Sequence, residues 1–172
     1  MSININETEK LIQEYLLDEG ILREKLKGNK IGFGYQFSFP PGSKGHPMSV
    51  VNPKDKNFVI ISIGIQISKP YIEALNSLKD NKKMLFFKEL RKFIILKNIF
   101  FRIDIENYRY EFYDQIFIKN DSTISKNSFF KRIRYLFNCM QYSNLILDDF
   151  CSGQVKHEDF NHTMGTNYSL YT

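Results

Sequence analysis

The sequence predicts an α+β domain with the element order α-β-β-β-α-β-β-α, in which helices pack mainly on one face of a five-stranded antiparallel sheet. Two strand patterns carry this prediction. Residues 58–68 form the longest β-type run, with a β-branched side chain at every odd position from Val59 to Ile67. Residues 31–39 alternate apolar or aromatic side chains with small or polar ones. Because successive side chains of a strand point to opposite faces, each run has one core face and one small, polar face.

Capping residues and apolar spacing predict the helices. A capping-box spacing at Asn6 begins the first helix, and Gly20 is suited to stop it, although residues 21–27 could continue it by a turn. Ser68 begins a crossover after the central run that is compatible with one helix or two. The last helix begins at Ser125 and carries its apolar residues at helical spacing.

The remaining strands are predicted at residues 48–51, 99–105 and 108–118. The last two are joined by a tight turn and form a hairpin. Asp114 falls on the apolar side of its strand, so a bulge or a strand end is expected near it.

Length and composition indicate one globular domain over residues 1–151, followed by a polar C-terminal tail at 152–172. No apolar run approaches the roughly 20 residues that a membrane-spanning helix needs. The N-terminus has neither the basic nor the apolar region of a signal peptide. The two cysteines, Cys139 and Cys151, lack C-x-x-C spacing, so we expect a protein of the reducing cytoplasm. No cofactor is expected.

Positive charge is concentrated in the middle of the chain. Residues 69–97 carry eight basic and three acidic side chains, whereas residues 1–29 carry four basic and six acidic ones. If the basic helix faces joined into one stripe, they would fit a phosphate backbone, which makes nucleic-acid association the second functional hypothesis. The residues that would carry it are Lys83, Arg91, Lys131 and Arg134. Basic outer helix faces are also ordinary solvated surface.

The favoured hypothesis is a partner-binding surface on the small, polar side of the central sheet. The side chains on such a face are too polar for a deep core and too small for a charged surface, a combination that is typical of a shallow partner or dimer interface. A plain solvated sheet face remains the alternative. The candidate partner-binding residues are Ser62, Gly64, Gln66, Phe100 and Arg102.

Enzyme chemistry is the third hypothesis, because no nucleophile, base or phosphate-loop motif is present. Four carboxylates cluster near the second hairpin, where paired carboxylates can perform acid–base chemistry if one is desolvated; they are Asp104, Glu106, Glu111 and Asp114. Four residues near the C-terminus are of metal-ligand types, but their spacing matches no standard zinc site, so no metal site is predicted there; they are Cys151, His157, Asp159 and His162.

Residues 11–150 resemble an uncharacterised archaeal domain family and, in element order and length, the type III secretion chaperone-like fold. The segments that carry the resemblance are residues 35–42 (YQFSFPPG), residues 65–68 (IQIS) and the end of the last helix. The resemblance implies a homodimer and the capture of a partner polypeptide. The resulting prediction is a non-enzymatic chaperone-like or adaptor module.

Overall fold

The computed structural model of the protein describes residues 5–78, 80–119 and 123–152, without the side chains of residues 80–82. The elements in chain order are α1 (Ile5–Asp18), β1 (Leu22–Lys25), β2 (Ile31–Phe39), β3 (His46–Pro53), β4 (Phe58–Gln66), α2 (Lys69–Ser77), α3 (Asp80–Leu96), β5 (Phe100–Asp104), β6 (Arg109–Phe117) and α4 (Lys126–Cys151).

The described strands form one six-stranded sheet in the order β1-β2-β3-β4-β6-β5. The first four strands are successive antiparallel neighbours. The amide of Ile67, just after β4, donates to the carbonyl of Tyr108, just before β6, at 2.9 Å. The amide of Ile118, just after β6, donates to the carbonyl of Asn57, just before β4, at 2.7 Å. Because the end of each of these strands contacts the start of the other, β4 and β6 are also antiparallel.

The sheet has one strand more than the sequence predicted, because residues 22–25 form β1 rather than a further turn of helix. Gly20 does end α1: its φ is +65°, and its amide donates to the carbonyl of Leu17 at 2.9 Å. The chain then runs back along β2, with Leu22 opposite Phe37 and Lys25 opposite Tyr35. Pairing with a neighbouring strand therefore outweighs the local helical pattern here.

The central run behaves as its alternation predicted. Val59, Ile61 and Ile63 in β4 have no solvent exposure, whereas Gly64 and Gln66 on the other face are exposed. The crossover after β4 consists of two helices, α2 and α3. Pro70 lies in the first turn of α2 as expected, but the Ser68 side chain makes no capping hydrogen bond.

The chain divides into two compact units. The first comprises residues up to Ile63 together with Tyr113–Phe137. Here the Tyr35 hydroxyl on β2 donates to Glu9 at 3.2 Å and to Gln13 at 3.3 Å, both on α1. The Phe39 and Phe137 rings meet edge-on at 5.4 Å, and the Tyr15 hydroxyl donates to the carbonyl of Ile124. The first half of α4 and α1 are thus fixed to the strands of this unit.

Asp114 lies inside β6 in the first unit, and the strand continues to Phe117. The expected strand end at Asp114 is therefore wrong, and the alternative, a bulge near it, stays a prediction. The Asp114 residue is only 8% exposed, and its carboxylate accepts a hydrogen bond from Arg132 of α4 at 2.5 Å and another from the Gln115 amide at 2.8 Å. A charged partner, not a break in the strand, makes this carboxylate compatible with the apolar side.

The second unit comprises Gly64–Phe112 and the chain from Asn138 onward. Here α3 packs on the second half of α4, with the rings of Phe93 and Tyr142 stacked at 4.6 Å and those of Phe86 and Phe150 edge-on at 5.8 Å. The buried Tyr110 hydroxyl of β6 lies 3.0 Å from the Ser143 hydroxyl of α4.

The predicted polar tail at 152–172 lies beyond the described residues except for Ser152. That residues 1–151 form a single domain stays a prediction.

Candidate functional site

The open face of the second unit carries a hollow of about 420 Å³ above Gly64. We call it the Gly64 hollow. β4, β5 and β6 build it, and its lining residues are Gly64, Ile65, Gln66, Arg102, Asp104, Arg109, Tyr110 and Glu111.

The hollow exists because one strand position lacks a side chain. The hydrogen bond between Ile67 and Tyr108 places Gly64 across from Glu111, and Gln66 across from Arg109. A Cβ atom built on Gly64 would meet no atom within 4 Å. Larger side chains therefore surround an empty position of the pleated surface.

Two ion pairs form the walls. Arg102 of β5 lies 4.0 Å from Glu111 of β6, and Arg109 of β6 lies 3.5 Å from Asp104 of β5. Both distances exceed those of charge-assisted hydrogen bonds, which are about 2.7–2.9 Å. The Arg102 side chain is 78% exposed. The walls thus carry two guanidinium and two carboxylate groups whose ion pairs are longer than direct hydrogen bonds.

The β5–β6 turn fixes the end of the hollow. The Gln66 side-chain amide donates to the carbonyls of Asn107 at 3.0 Å and Tyr108 at 3.2 Å. The side-chain and backbone amides of Asn107 hold the pKa of the Asp104 carboxyl below its usual range, with Arg109 contributing further. A carboxyl group with a lowered pKa is ionised at neutral pH, so Asp104 carries a negative charge there.

The structure brings together three of the five predicted partner-binding residues, since Gly64, Gln66 and Arg102 all line the hollow. Phe100 is 50% exposed at the start of β5 but does not line it. Ser62 belongs to the first unit, where its hydroxyl lies 2.9 Å from that of Ser49.

The basic residues of the nucleic-acid hypothesis are distributed over both units. Lys83 lies in the second unit and is engaged by the fold: it donates to the Tyr108 hydroxyl and to Asn76, and its ammonium lies 4.6 Å from the Tyr108 ring centre. Arg91 is exposed on α3 in the same unit. Lys131 and Arg134 are exposed on the part of α4 in the first unit.

Arg134 borders a second depression in the first unit, together with Lys126. Lys126 is paired there with Glu19 at 2.8 Å and Asp18 at 3.2 Å, and these carboxylates raise the pKa of its ammonium. Acidic neighbours therefore compensate part of the positive charge at this depression.

The remaining candidates that lie in the described residues are not brought together at one site. Of the four hairpin carboxylates, Asp104 and Glu111 border the hollow, while Asp114 is paired with Arg132. His157, Asp159 and His162 lie outside the described residues. Across the parts of the chain that the structure describes, no group of three or more metal-ligand side chains is present.

Sequence reasoning missed Arg109 and the role of Glu111 in the hollow. The signal that could have found them is the tight turn before β6, because it places the two ends of the hairpin opposite one another. That turn pairs residue 104 with 109 and residue 102 with 111, with opposite charges in both cases.

Comparison with known proteins gives two matches. A family model described as "Uncharacterized conserved protein (DUF2299)" matches residues 8–147. A crystal structure of an uncharacterized protein from Methanothermobacter thermautotrophicus has a similar fold, with a TM-score of 0.75 and 19% sequence identity over 84% of this chain and 99% of that one. Among curated proteins no sequence matches.

Proposed function

We propose a function for a chain that belongs to the DUF2299 family of uncharacterised conserved proteins: it is a non-enzymatic module that binds a polypeptide partner at the Gly64 hollow. The observation that supports this proposal most directly is the hollow itself, an unfilled position on an open sheet face between two incompletely closed ion pairs.

The size and lining of the hollow favour a polypeptide over a small apolar ligand. Pockets for small molecules and cofactors span roughly 300–1,000 Å³ and are lined mostly by hydrophobic side chains. The Gly64 hollow is at the small end of that range, and four charged side chains form its walls. One side chain of a partner would fill the position above Gly64, while Arg102 and Glu111 bond to polar groups beside it.

The chaperone-like fold and the cytoplasmic location belong to this proposal. The α+β architecture supports the first, and the two free, buried thiols of Cys139 and Cys151 support the second, since free thiols are typical of reducing compartments. No helix in the described residues is both long and apolar enough to cross a membrane.

Affinity capture from native lysate, with and without nuclease, tests the proposal. The bait is the full chain, compared with Gly64→Lys, which fills the hollow and leaves the core face of β4 unchanged. Thr123→Lys adds the same charge at an exposed loop position and serves as the matched control. Ile63→Val is the control for a mild change in the core.

We expect a polypeptide partner that survives nuclease, is retained by both control variants and is lost with Gly64→Lys. Direct binding of the purified partner should then weaken at least about tenfold with Gly64→Lys. Capture of the same proteins by the unmodified chain and Gly64→Lys would reject the hollow as the binding site. Partners that disappear with nuclease would favour nucleic-acid association instead.

A further inference from the structure

The two edges of the sheet are built differently. β1 forms one edge and β5 the other. β1 has four residues, three of them charged, and its register shifts between Leu22 and Glu24. Charges and bulges of this kind keep an edge strand from pairing with another chain. β5 reads Phe-Phe-Arg-Ile-Asp and contains neither lysine nor proline.

The core side of β5 is incompletely covered. Tyr110 and Phe112 on the neighbouring strand are buried, with 2% and 0% exposure. Phe101 and Ile103 lie on the same side of the sheet but are only half-buried. Apolar surface therefore remains at this edge that a further strand would cover.

The charges of β5 select a partner and a register. A second copy of this chain that pairs antiparallel with β5 is related to it by a two-fold axis, so the residue at the axis meets itself. An axis at Arg102 would place two guanidinium groups opposite each other, which is unfavourable. An axis at Ile103 places Arg102 opposite the partner's Asp104, and the same pair forms a second time across the axis.

We propose that the protein forms a homodimer in which β5 pairs antiparallel with β5 of a second copy, centred on Ile103. The two sheets then continue into each other. Each Arg102 gains a cross-strand carboxylate on the open side, and Ile103 packs against the partner's Ile103 on the core side. The interface is one strand wide, so we expect association in the micromolar range rather than an obligate dimer.

Sedimentation equilibrium of the full chain tests the proposal. We expect the mass to rise from 20.4 kDa towards twice that value as the concentration is raised to about 100 µM. Arg102→Glu and Asp104→Lys each place like charges opposite one another at both pairs, so each should weaken the dimer roughly tenfold or more.

A mixture of these two variants gives the decisive result. In a mixed dimer, the glutamate introduced at position 102 of one copy faces the lysine introduced at position 104 of the other. The unchanged Arg102 of the second copy faces the unchanged Asp104 of the first, so both cross-strand pairs again join opposite charges. An equimolar mixture should therefore associate at least as well as the unmodified chain.

Two control variants separate this interface from other surfaces. Arg91→Glu makes the same charge change as Arg102→Glu on exposed α3 and should leave the dimer intact. Gly64→Lys, two strands from the edge, should also leave it intact, which separates this proposal from binding at the hollow.

Hydrogen exchange of the unmodified chain supplies a second measurement that needs no substitution. A measurement without substitution is useful because Asp104→Lys also removes the hydrogen bonds from Asn107. The folding of the Asp104→Lys variant is checked separately by circular dichroism. Amides of β5 should become more protected as concentration rises, and those of β1 should not. A monomer throughout the concentration range, a dimer that Arg102→Glu leaves unchanged, or a mixture of folded variants that stays monomeric would each overturn the proposal.

Discussion

Replacing Arg132 by leucine should destabilise the fold by about 2 kcal/mol, because it leaves the buried Asp114 carboxylate without its charged partner. Breaking a fully buried pair costs about 3–5 kcal/mol, whereas exposed pairs contribute about 0–1 kcal/mol. The Asp114 side chain is 11% exposed and that of Arg132 is 50% exposed, so the expected value lies between these limits. The Gln115 amide continues to satisfy one carboxylate oxygen.

Equilibrium urea unfolding, followed by far-ultraviolet circular dichroism because the chain has no tryptophan, measures this cost. Lys92→Leu breaks an exposed pair with Glu89 and is the matched control, with an expected change below about 0.5 kcal/mol. The double variant Arg132→Leu with Asp114→Asn should recover most of the loss, since no buried charge remains. A cost for Arg132→Leu no larger than that of Lys92→Leu, or a double variant less stable than the single one, would refute this account of Asp114.

Three further measurements concern the core. Gly32→Ala should lower the free energy of unfolding by about 1–3 kcal/mol, because its Cβ would lie 2.6 Å from the side-chain oxygen of buried Asn52; unchanged denaturant midpoints would contradict this. Burial raises the pKa of Tyr110 to about 12, whereas its pKa in the unfolded chain is about 10. The free energy of unfolding should therefore fall by up to about 2–3 kcal/mol as the pH rises from about 10 towards 12. Urea titrations of Tyr110→Phe should show a smaller decline over the same pH range. Burial also raises the pKa values of Cys139 and Cys151, so both thiols should react with a disulfide reagent much more slowly in the native than in the unfolded chain, and rapid native labelling would argue against their placement.

The strands with clear alternation could be predicted from sequence, because side-chain period and burial depend on local order alone. β4 shows this, since its odd positions from Val59 to Ile65 are buried as predicted. β1 could not be predicted in this way. Three of its four residues are charged, and it is stabilised by ladder bonds to β2 and by the Lys25 ammonium, which contacts Glu9 on α1 at 2.7 Å. Such distant partners leave no local pattern in the sequence.

The candidate site, too, could be predicted from the sequence only in part. The small face around Gly64 could be identified from its strand, and the structure leaves its Cβ position open. Arg109 and Glu111 join it because β6 lies beside β4, although these two strands are not consecutive in the chain. The hairpin turn pairs the four charges with one another, but sequence alternation does not identify the strand beside β4, so only the sheet order places these charges beside Gly64.

The distribution of cations predicts weak, shallow salt dependence for any binding of nucleic acid. A strong phosphate site combines several cations, and each neutralised phosphate of a duplex adds about −0.9 to the slope of log K against log salt concentration. On α3, Lys88 and Arg91 are exposed beside the apolar side chains of Met84 and Ile95, which gain nothing from phosphate, while Lys92 is paired with Glu89. Lys83 is held by Asn76 and Tyr108. We therefore expect a slope between about 0 and −2 in titrations with generic single- and double-stranded oligonucleotides, and Arg91→Glu should change it by no more than about 1. A slope of about −5 or steeper would show a continuous cationic surface and would make nucleic acid, rather than a polypeptide, the better-supported partner.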